Sequence, residues 1–210
     1  MISAHLREDI FVVWSVDHAA LQARCRGARV TAFEGRGWLV FAAVRMERIR
    51  IGGWPLPFPA AVAAVMAVCD LRSGRRGNLA LTGWTGNHLV RLADQLHGGV
   101  ITAGCVRFHQ QAGGLAVTID GKVDLTLDRS RALAVDDQRR LDHLFAGNRS
   151  GIWRRDGRIV ELPLWKRAWP QRGHPAVVRR ADFLAGWDAR LEFAFDASQA
   201  RSCWLRPRVA

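Results

Sequence analysis

Over much of the chain, apolar residues recur at alternate positions, and that two-residue period predicts strands rather than helices. The clearest run is GWLVFAAVRMERIRI (37–51), where Val44, Met46, Ile49 and Ile51 mix with Arg45, Glu47, Arg48 and Arg50. Imperfect alternation of this kind predicts a long strand with one wet face and a bulge. RVTAFE (29–34) precedes it, separated by a turn at Gly35. Two Asp-Gly steps each sit between β-like runs: Asp120-Gly121 between LAVTI and KVDLTL, and Asp156-Gly157 between SGIWRR and RIVELPL. Asp-Gly tolerates the positive φ angles of a tight hairpin, so both predict hairpins. NLALTGW (78–84), VITAGCVRFHQ (100–110), Leu191–Phe195 and Ser202–Leu205 add further strands. AAVAAVMAVCDL (60–71) fits either a helix or a buried strand. GGWPLPFP (52–59) is expected to be a loop because its prolines cannot continue a ladder, and RSGRRG (72–77) a turn.

Helical spacing is confined to three places. Asp17 precedes HAALQA and can cap a short first helix. Leu89, Leu92, Ala93 and Leu96 share one face over Asn87–His97, with Gly98-Gly99 as the stop. Asp136 is placed to cap DQRRLDHLF (137–145). The acidic pairs Glu8-Asp9 and Asp136-Asp137 are expected at helix starts, where the dipole favours negative charge. Together these elements predict a mostly β, α+β single domain spanning 1–210: a β-barrel or a strongly curved mixed sheet with a few short peripheral helices attached.

Composition narrows the function classes. Hydrophobic residues make up 49% of 210 residues, enough for one sizeable core. The N-terminal MISAHLRED lacks a basic start followed by an apolar run, and no stretch reaches the length of a spanning helix. A cytoplasmic protein without a membrane span is expected, with a peripheral contact left open. Cys25, Cys69, Cys105 and Cys203 are isolated, so they are expected to be reduced and to hold no structural metal. The net charge of +12 is almost entirely arginine, Lys122 and Lys166 being the only lysines. Those arginines are spread along the chain rather than clustered, which argues for solubility and against a nucleic-acid footprint.

The candidate chemistry is sparse. No nucleophile elbow and no phosphate-binding glycine loop is present. His97, Cys105 and His109 lack a further close ligand, so no metal is expected. Asp94 and His97, three apart, are expected to pair on the helix surface. Lys166 lies between Trp165 and Trp169. In an apolar pocket its pKa would fall and it could form a Schiff base with a ketone; the alternative is a solvated lysine between two buried tryptophans. Arg149 is a candidate carboxylate clamp, and Trp84, Trp153 and Trp169, with His97, are candidate pocket-lining residues.

Two segments carry a resemblance. WSVDHAAL with RVTAFEGRGWLVFAAVRM, and NRSGIWRRDGRIVELPLWKRAWPQ, are similar to an uncharacterised bacterial branch of the acetoacetate decarboxylase-like superfamily. Arg149 and Trp169-Pro170 match positions of that branch; Lys166 stands where it usually has histidine. The resemblance implies a closed, cone-like β-barrel of antiparallel and mixed strands enclosing a small-molecule ligand. No cofactor is expected, and a homo-oligomer is left open. The superfamily's decarboxylases use a paired lysine in a Gly-x-Pro-Lys-Lys stretch. Here the comparable stretch is HGGVITAG, with Val100 and Ile101 at the lysine positions, and the upstream glutamate has no counterpart in AAVMAVCDL. The resemblance therefore implies a diverged enzyme acting on a keto acid or ketone, with Lys166 as its amine, or a non-catalytic small-molecule-binding barrel.

Overall fold

The computed structural model describes residues 2–51, 53–55, 57–71, 74–96, 99–146, 150–155, 158–166, 172–196, 201–204 and 208–209, with backbone alone at 2–3, 51, 96, 153, 155, 158, 162–166, 201–204 and 208–209. In chain order the elements are β1 (Ile2–Val16), α1 (His18–Arg24), β2 (Arg29–Val30), β3 (Gly37–Ile51), β4 (Trp54–Pro55), β5 (Ala60–Asp70), β6 (Arg76–Thr85), α2 (His88–Leu96) and β7 (Ile101–Ala103). They continue as β8 (Val106–Gln111), β9 (Gly114–Ile119), β10 (Val123–Asp128), α3 (Val135–Phe145), β11 (Ser150–Arg155), β12 (Arg158–Lys166), β13 (Arg172–His174), β14 (Ala176–Ala181), β15 (Arg190–Asp196), β16 (Arg201–Trp204) and β17 (Arg208–Val209). The mostly β reading with short helices holds. No helix among the described residues is long and apolar enough to cross a membrane.

The larger sheet runs β13-β15-β1-β16-β12-β11-β6-β5-β3-β4, and β1 also pairs with β3. Its ladders are antiparallel except β6 with β7 and β6 with β11. A second sheet, β14-β10-β9-β8, lies apart from it. β1 and β3 are apolar on both faces, and each face has its own cover. On one side Ile10, Val12, Trp14, Leu39 and Phe41 join a core with Leu115, Val117, Ile119, Leu125 and Leu127 of the second sheet. On the other, Phe11, Val13, Trp38, Val40, Phe193 and Phe195 pack under Leu141 and Leu144 of α3. Phe11 and Phe195 stack with ring centroids 4.7 Å apart.

Several local expectations hold for the reasons given. Asp17 Oδ1 accepts from the Ala20 amide at 2.7 Å, capping α1. Asp120 and Gly121 take φ of 36° and 69° in the β9–β10 hairpin. The Arg155–Arg158 pair of β11 and β12 leaves two intervening residues, as a tight hairpin needs, although Asp156 and Gly157 themselves lie outside the described residues. The ambiguous 60–71 segment is strand β5. Its β-branched and small residues fill a ladder between β3 and β6 that a helix could not enter.

Other expectations are corrected. Glu8 and Asp9 lie in the middle of β1 rather than at a helix start. The apolar run after them recruits them into the ladder, where Glu8 faces Arg45 at 3.3 Å and Asp9 is buried. The 52–59 segment is not all loop: Pro55 pairs with Arg50 on the edge strand β4, where a missing amide costs no ladder bond. Asp136 sits inside the first turn of α3, whose N-cap is Ala134 without a side-chain bond. The 100–110 strand breaks at Gly104-Cys105, sending β7 to the larger sheet and β8 to the smaller.

α3 is fixed to the sheet by charge as well as by its leucines. Arg76 donates to the last-turn carbonyls of His143 and Leu144, at 2.8 and 3.0 Å. Arg140 reaches Glu34 at 2.9 Å and buried Glu192 at 3.4 Å, and lies over the Phe193 ring. Ser15 donates to the same Glu192 at 2.7 Å. The hydrogen bond from Arg140 holds the Glu34 carboxyl below its ordinary value of 4.5. A depressed folded pKa contributes stability that is present above 4.5 and lost as pH falls below it. Arg140→Gln should therefore lower the melting temperature at pH 7 and flatten its fall between about pH 5 and pH 3. Calorimetry across that range checks this; an acid limb as steep as wild type would contradict it.

Candidate functional site

The end of β6 sets the frame of the site. Thr85 is buried; its hydroxyl donates to the Ala61 carbonyl at 2.8 Å and accepts from the Asn87 amide at 3.2 Å. Asn87 Oδ1 then accepts from the Leu89 and Val90 amides at 3.0 and 3.1 Å, which starts α2 and fixes its rotation. With that rotation Val90 turns inward, onto Ala4, Ile49 and Ala60. Leu89 and Leu92 consequently point outward, 52% and 53% exposed. The helix itself was expected from the spacing of Leu89, Leu92, Ala93 and Leu96; which of its faces meets the sheet was not. The cap and the small-residue floor under Val90 decide it.

Asp94 ties α2 to β7. Its Oδ2 accepts from the Ile101 amide at 2.8 Å, and its carbonyl accepts from the Gly99 amide at 2.9 Å. A methyl group at Gly99 would collide with the Asp94 carboxylate, so this return needs glycine. Asp94 thus spends its side chain on β7; its expected partner His97 lies outside the described residues. β7 runs parallel to β6 with Ile101 opposite Gly83, and Thr102 donates to the Gly83 carbonyl at 3.1 Å. A Cβ at Gly83 would stand 2.8 Å from the Ala63 carbonyl oxygen and 3.1 Å from Ile101 Cγ1. Only glycine lets β5, β6 and β7 approach this closely.

Between α2 and β7 lies an open recess of about 490 Å³, lined by His88, Arg91, Leu92, Gln95, Ile101, Thr102 and Ala103. Arg91 makes a short contact with His88 Nδ1, one helical turn away. The guanidinium carries five donors in a planar fork, which suits a carboxylate. Leu92, Ile101 and Ala103 offer a short apolar wall. Among the described residues no amine lines the recess. Lys122 is on the distant β9–β10 turn, where its carbonyl accepts from the Asp182 amide.

Of the residues singled out by sequence, Trp84 is described in full. It is 7% exposed and packs on Phe183, which also stacks on Phe41 and meets Trp14 edge-on. Lys166 ends β12, its backbone paired with Ser202, and Trp153 of β11 pairs with Val160; their side chains lie outside the described residues. Arg149, Trp169 and His97 lie outside them altogether. No group of three metal-ligating side chains occurs among the described residues. His109 approaches Thr118 at 3.3 Å, and Cys105 lies before β8 begins. His88, Arg91, Gln95 and Thr102 went unnoticed in the sequence. The usable signal was Asn87, because a helix capped there puts His88 and Arg91 on one face.

No family model matches this sequence, and no curated protein matches it. Solved structures do. Acetoacetate decarboxylase from Legionella pneumophila superposes with a TM-score of 0.71 at 10% identity, covering 100% of this chain and 87% of that one. The enduracididine biosynthesis enzyme MppR gives 0.65 at 13%, covering 99% and 86%. An acetoacetate decarboxylase-like enzyme from Sphingomonas wittichii RW1 gives 0.61 at 14%, covering 98% and 94%.

Asp94→Ala should free the start of β7, costing about 1.5–3 kcal/mol for a bond to a charged acceptor. Hydrogen exchange at the Ile101 amide should accelerate, with Asp94→Asn intermediate. Unchanged protection in Asp94→Ala would show that β7 is held by other contacts. The architecture that frames this recess is the acetoacetate decarboxylase-like fold.

Proposed function

We propose that this chain is a diverged member of the acetoacetate decarboxylase-like superfamily that binds a small carboxylate-bearing molecule, of the oxo-acid class, in the recess between α2 and β7. The observation that carries the reading is the lining of that recess: a guanidinium and an imidazole beside a short apolar wall. The guanidinium would take the carboxylate, the His88 imidazole or the Thr102 hydroxyl would meet a second oxygen, and Leu92 and Ile101 would pack on a short carbon chain. Ile101 is one of the two residues standing where the parent enzymes carry their lysine pair, so the reading is binding without that chemistry. MppR, a neighbour in fold, has been captured with pyruvate bound, which supports an oxo acid as the ligand class.

A closed barrel around the core is part of the same proposal. Its support is the strand pairing. β1 pairs with β3 along one edge and with β15 and β16 along the other, so the ladders β1, β3, β5, β6, β11, β12 and β16 return to β1.

A second reading keeps the enzyme. In it the Lys166 amine attacks a ketone carbon, a C=N bond forms and water leaves, while Arg149 holds the carboxylate. It is favoured by the capture of MppR with a condensation product of pyruvate and an aldehyde.

Titrating pyruvate and acetoacetate while following the melting temperature tests both readings. Ligand at about 100 times Kd should stabilise by about 2.7 kcal/mol, a rise of several degrees in a chain of this size. Arg91→Ala should weaken binding tenfold or more. Borohydride should leave no mass adduct under the binding reading and a stable adduct, lost in Lys166→Ala, under the second. If neither acid shifts the melting temperature and neither adds mass, both readings fall.

A further inference from the structure

Two cysteines far apart in sequence meet in the main core. Cys25 follows α1 and Cys69 lies on β5; both are free, fully buried and members of one apolar cluster. Local bonds bring them together. The Cys25 amide bonds to the Leu21 and Gln22 carbonyls and so closes α1. Its carbonyl accepts from the Ala28 amide at 2.9 Å, and Gly27 takes φ of 84°, so the chain turns back at once. A turn with positive φ at its third residue favours glycine there. Gln22 clamps the return, donating to the Ala28 carbonyl at 2.8 Å and accepting from the Val30 amide at 2.9 Å. Val30 then pairs with Cys69 itself in the β2–β5 ladder. The two thiols end in a hydrogen bond to each other.

Either thiol alone would be a small, inert core residue. The pair differs in its chemistry and in its cover. The hydrogen bond from Cys69, with the charge of exposed Arg154, draws the Cys25 thiol below its ordinary value against the effect of burial. The same hydrogen bond and burial push the Cys69 thiol up. Cys25 is thus the sulfur that gives up its proton first, and thiolate is the nucleophilic form. The cover is thin. From Asp17 to Arg29 only Leu21 and Cys25 are fully buried, so α1 and its turn can lift from β5 while most of the core stays in place. Such an opening admits a small polar reagent to both sulfurs, and closure returns them to contact.

We infer that Cys25 and Cys69 form a reversible disulfide, with a small hydroperoxide as the oxidant, that locks α1 and its turn onto β5. The Cys25 thiolate attacks one peroxide oxygen; the O–O bond breaks, hydroxide leaves, and Cys25 becomes a sulfenic acid. The Cys69 sulfur then attacks the Cys25 sulfur, the S–O bond breaks, and a second hydroxide leaves. The two thiol protons turn both hydroxides into water, and the two electrons lost by the sulfurs reduce the peroxide. The inference is independent of what occupies the recess. Treating the folded full chain carrying Cys105→Ser and Cys203→Ser with hydrogen peroxide tests it, because Cys25 and Cys69 are then its remaining cysteines. Intact mass should fall by about 2 Da, dithiothreitol should restore it, and non-reducing peptide mapping should join the Cys25 and Cys69 peptides. The same mapping on wild type gives the answer if the paired serine changes disturb folding. Melting temperature should rise by several degrees, since the link closes a long loop, and amide exchange in α1 should slow. A further Cys25→Ala or Cys69→Ala should abolish the mass loss. The inference is overturned if peroxide leaves the mass unchanged or adds oxygen to sulfur without the link. It is overturned too if the link joins two copies of the chain, or forms in urea and never in the folded chain.

Discussion

β1 is the constraint that the rest of the structure serves. Its apolar residues do not alternate with polar ones over 10–14 but fill both faces, Ile10, Val12 and Trp14 on one side and Phe11 and Val13 on the other. A strand of that kind is stable only if both faces and both edges are covered. Burying each such side chain contributes roughly 1.5–3 kcal/mol, so leaving one face wet would offset most of a domain's net stability. β3 follows the same rule and supplies the partner edge. The second sheet is then needed over one face and α3 over the other. The Arg140–Glu34–Glu192 contacts and the Arg76 cap hold α3 in that place.

The candidate site lies where this demand ends. α2 is anchored to the sheet by Val90, by the Asn87 cap and by Asp94, and Leu89 and Leu92 remain outside. β7 is three residues long and paired along β6 alone among the described residues. A short helix and a short edge strand joined by one carboxylate leave a gap, and the gap is lined by the helix's polar residues. Among the described residues of 99–104, the Ile101 amide is held by Asp94, and Thr102 and Gly104 bond the Gly83 and Thr85 carbonyls of β6.

Much of the fold was legible because strands and turns are written locally. The Asp120-Gly121 hairpin, the Asp17 cap and the long β3 follow from residues within a few positions of each other. The errors came from partners distant in sequence. Glu8 and Asp9 look like a helix start until Arg45 is placed opposite, and the leucine stripe of α2 looks like a core face until Ala4, Ile49 and Ala60 claim Val90 instead. The recess was illegible for the same reason. His88 and Arg91 become wall residues only when β7 returns beside α2, and nothing near Thr102 in sequence announces that return. The superfamily resemblance pointed to the right fold; of the candidate residues, Arg149 lies outside the described residues and Lys166 is described by its backbone alone.

The central claim is that a small carboxylate sits between α2 and β7. Amide-resolved NMR of the labelled chain during a pyruvate titration addresses it most directly. The account predicts that the amides of Arg91, Leu92, Ile101 and Thr102 shift first and saturate together. Shifts confined to β11 and β12, or none at any resonance, would contradict it.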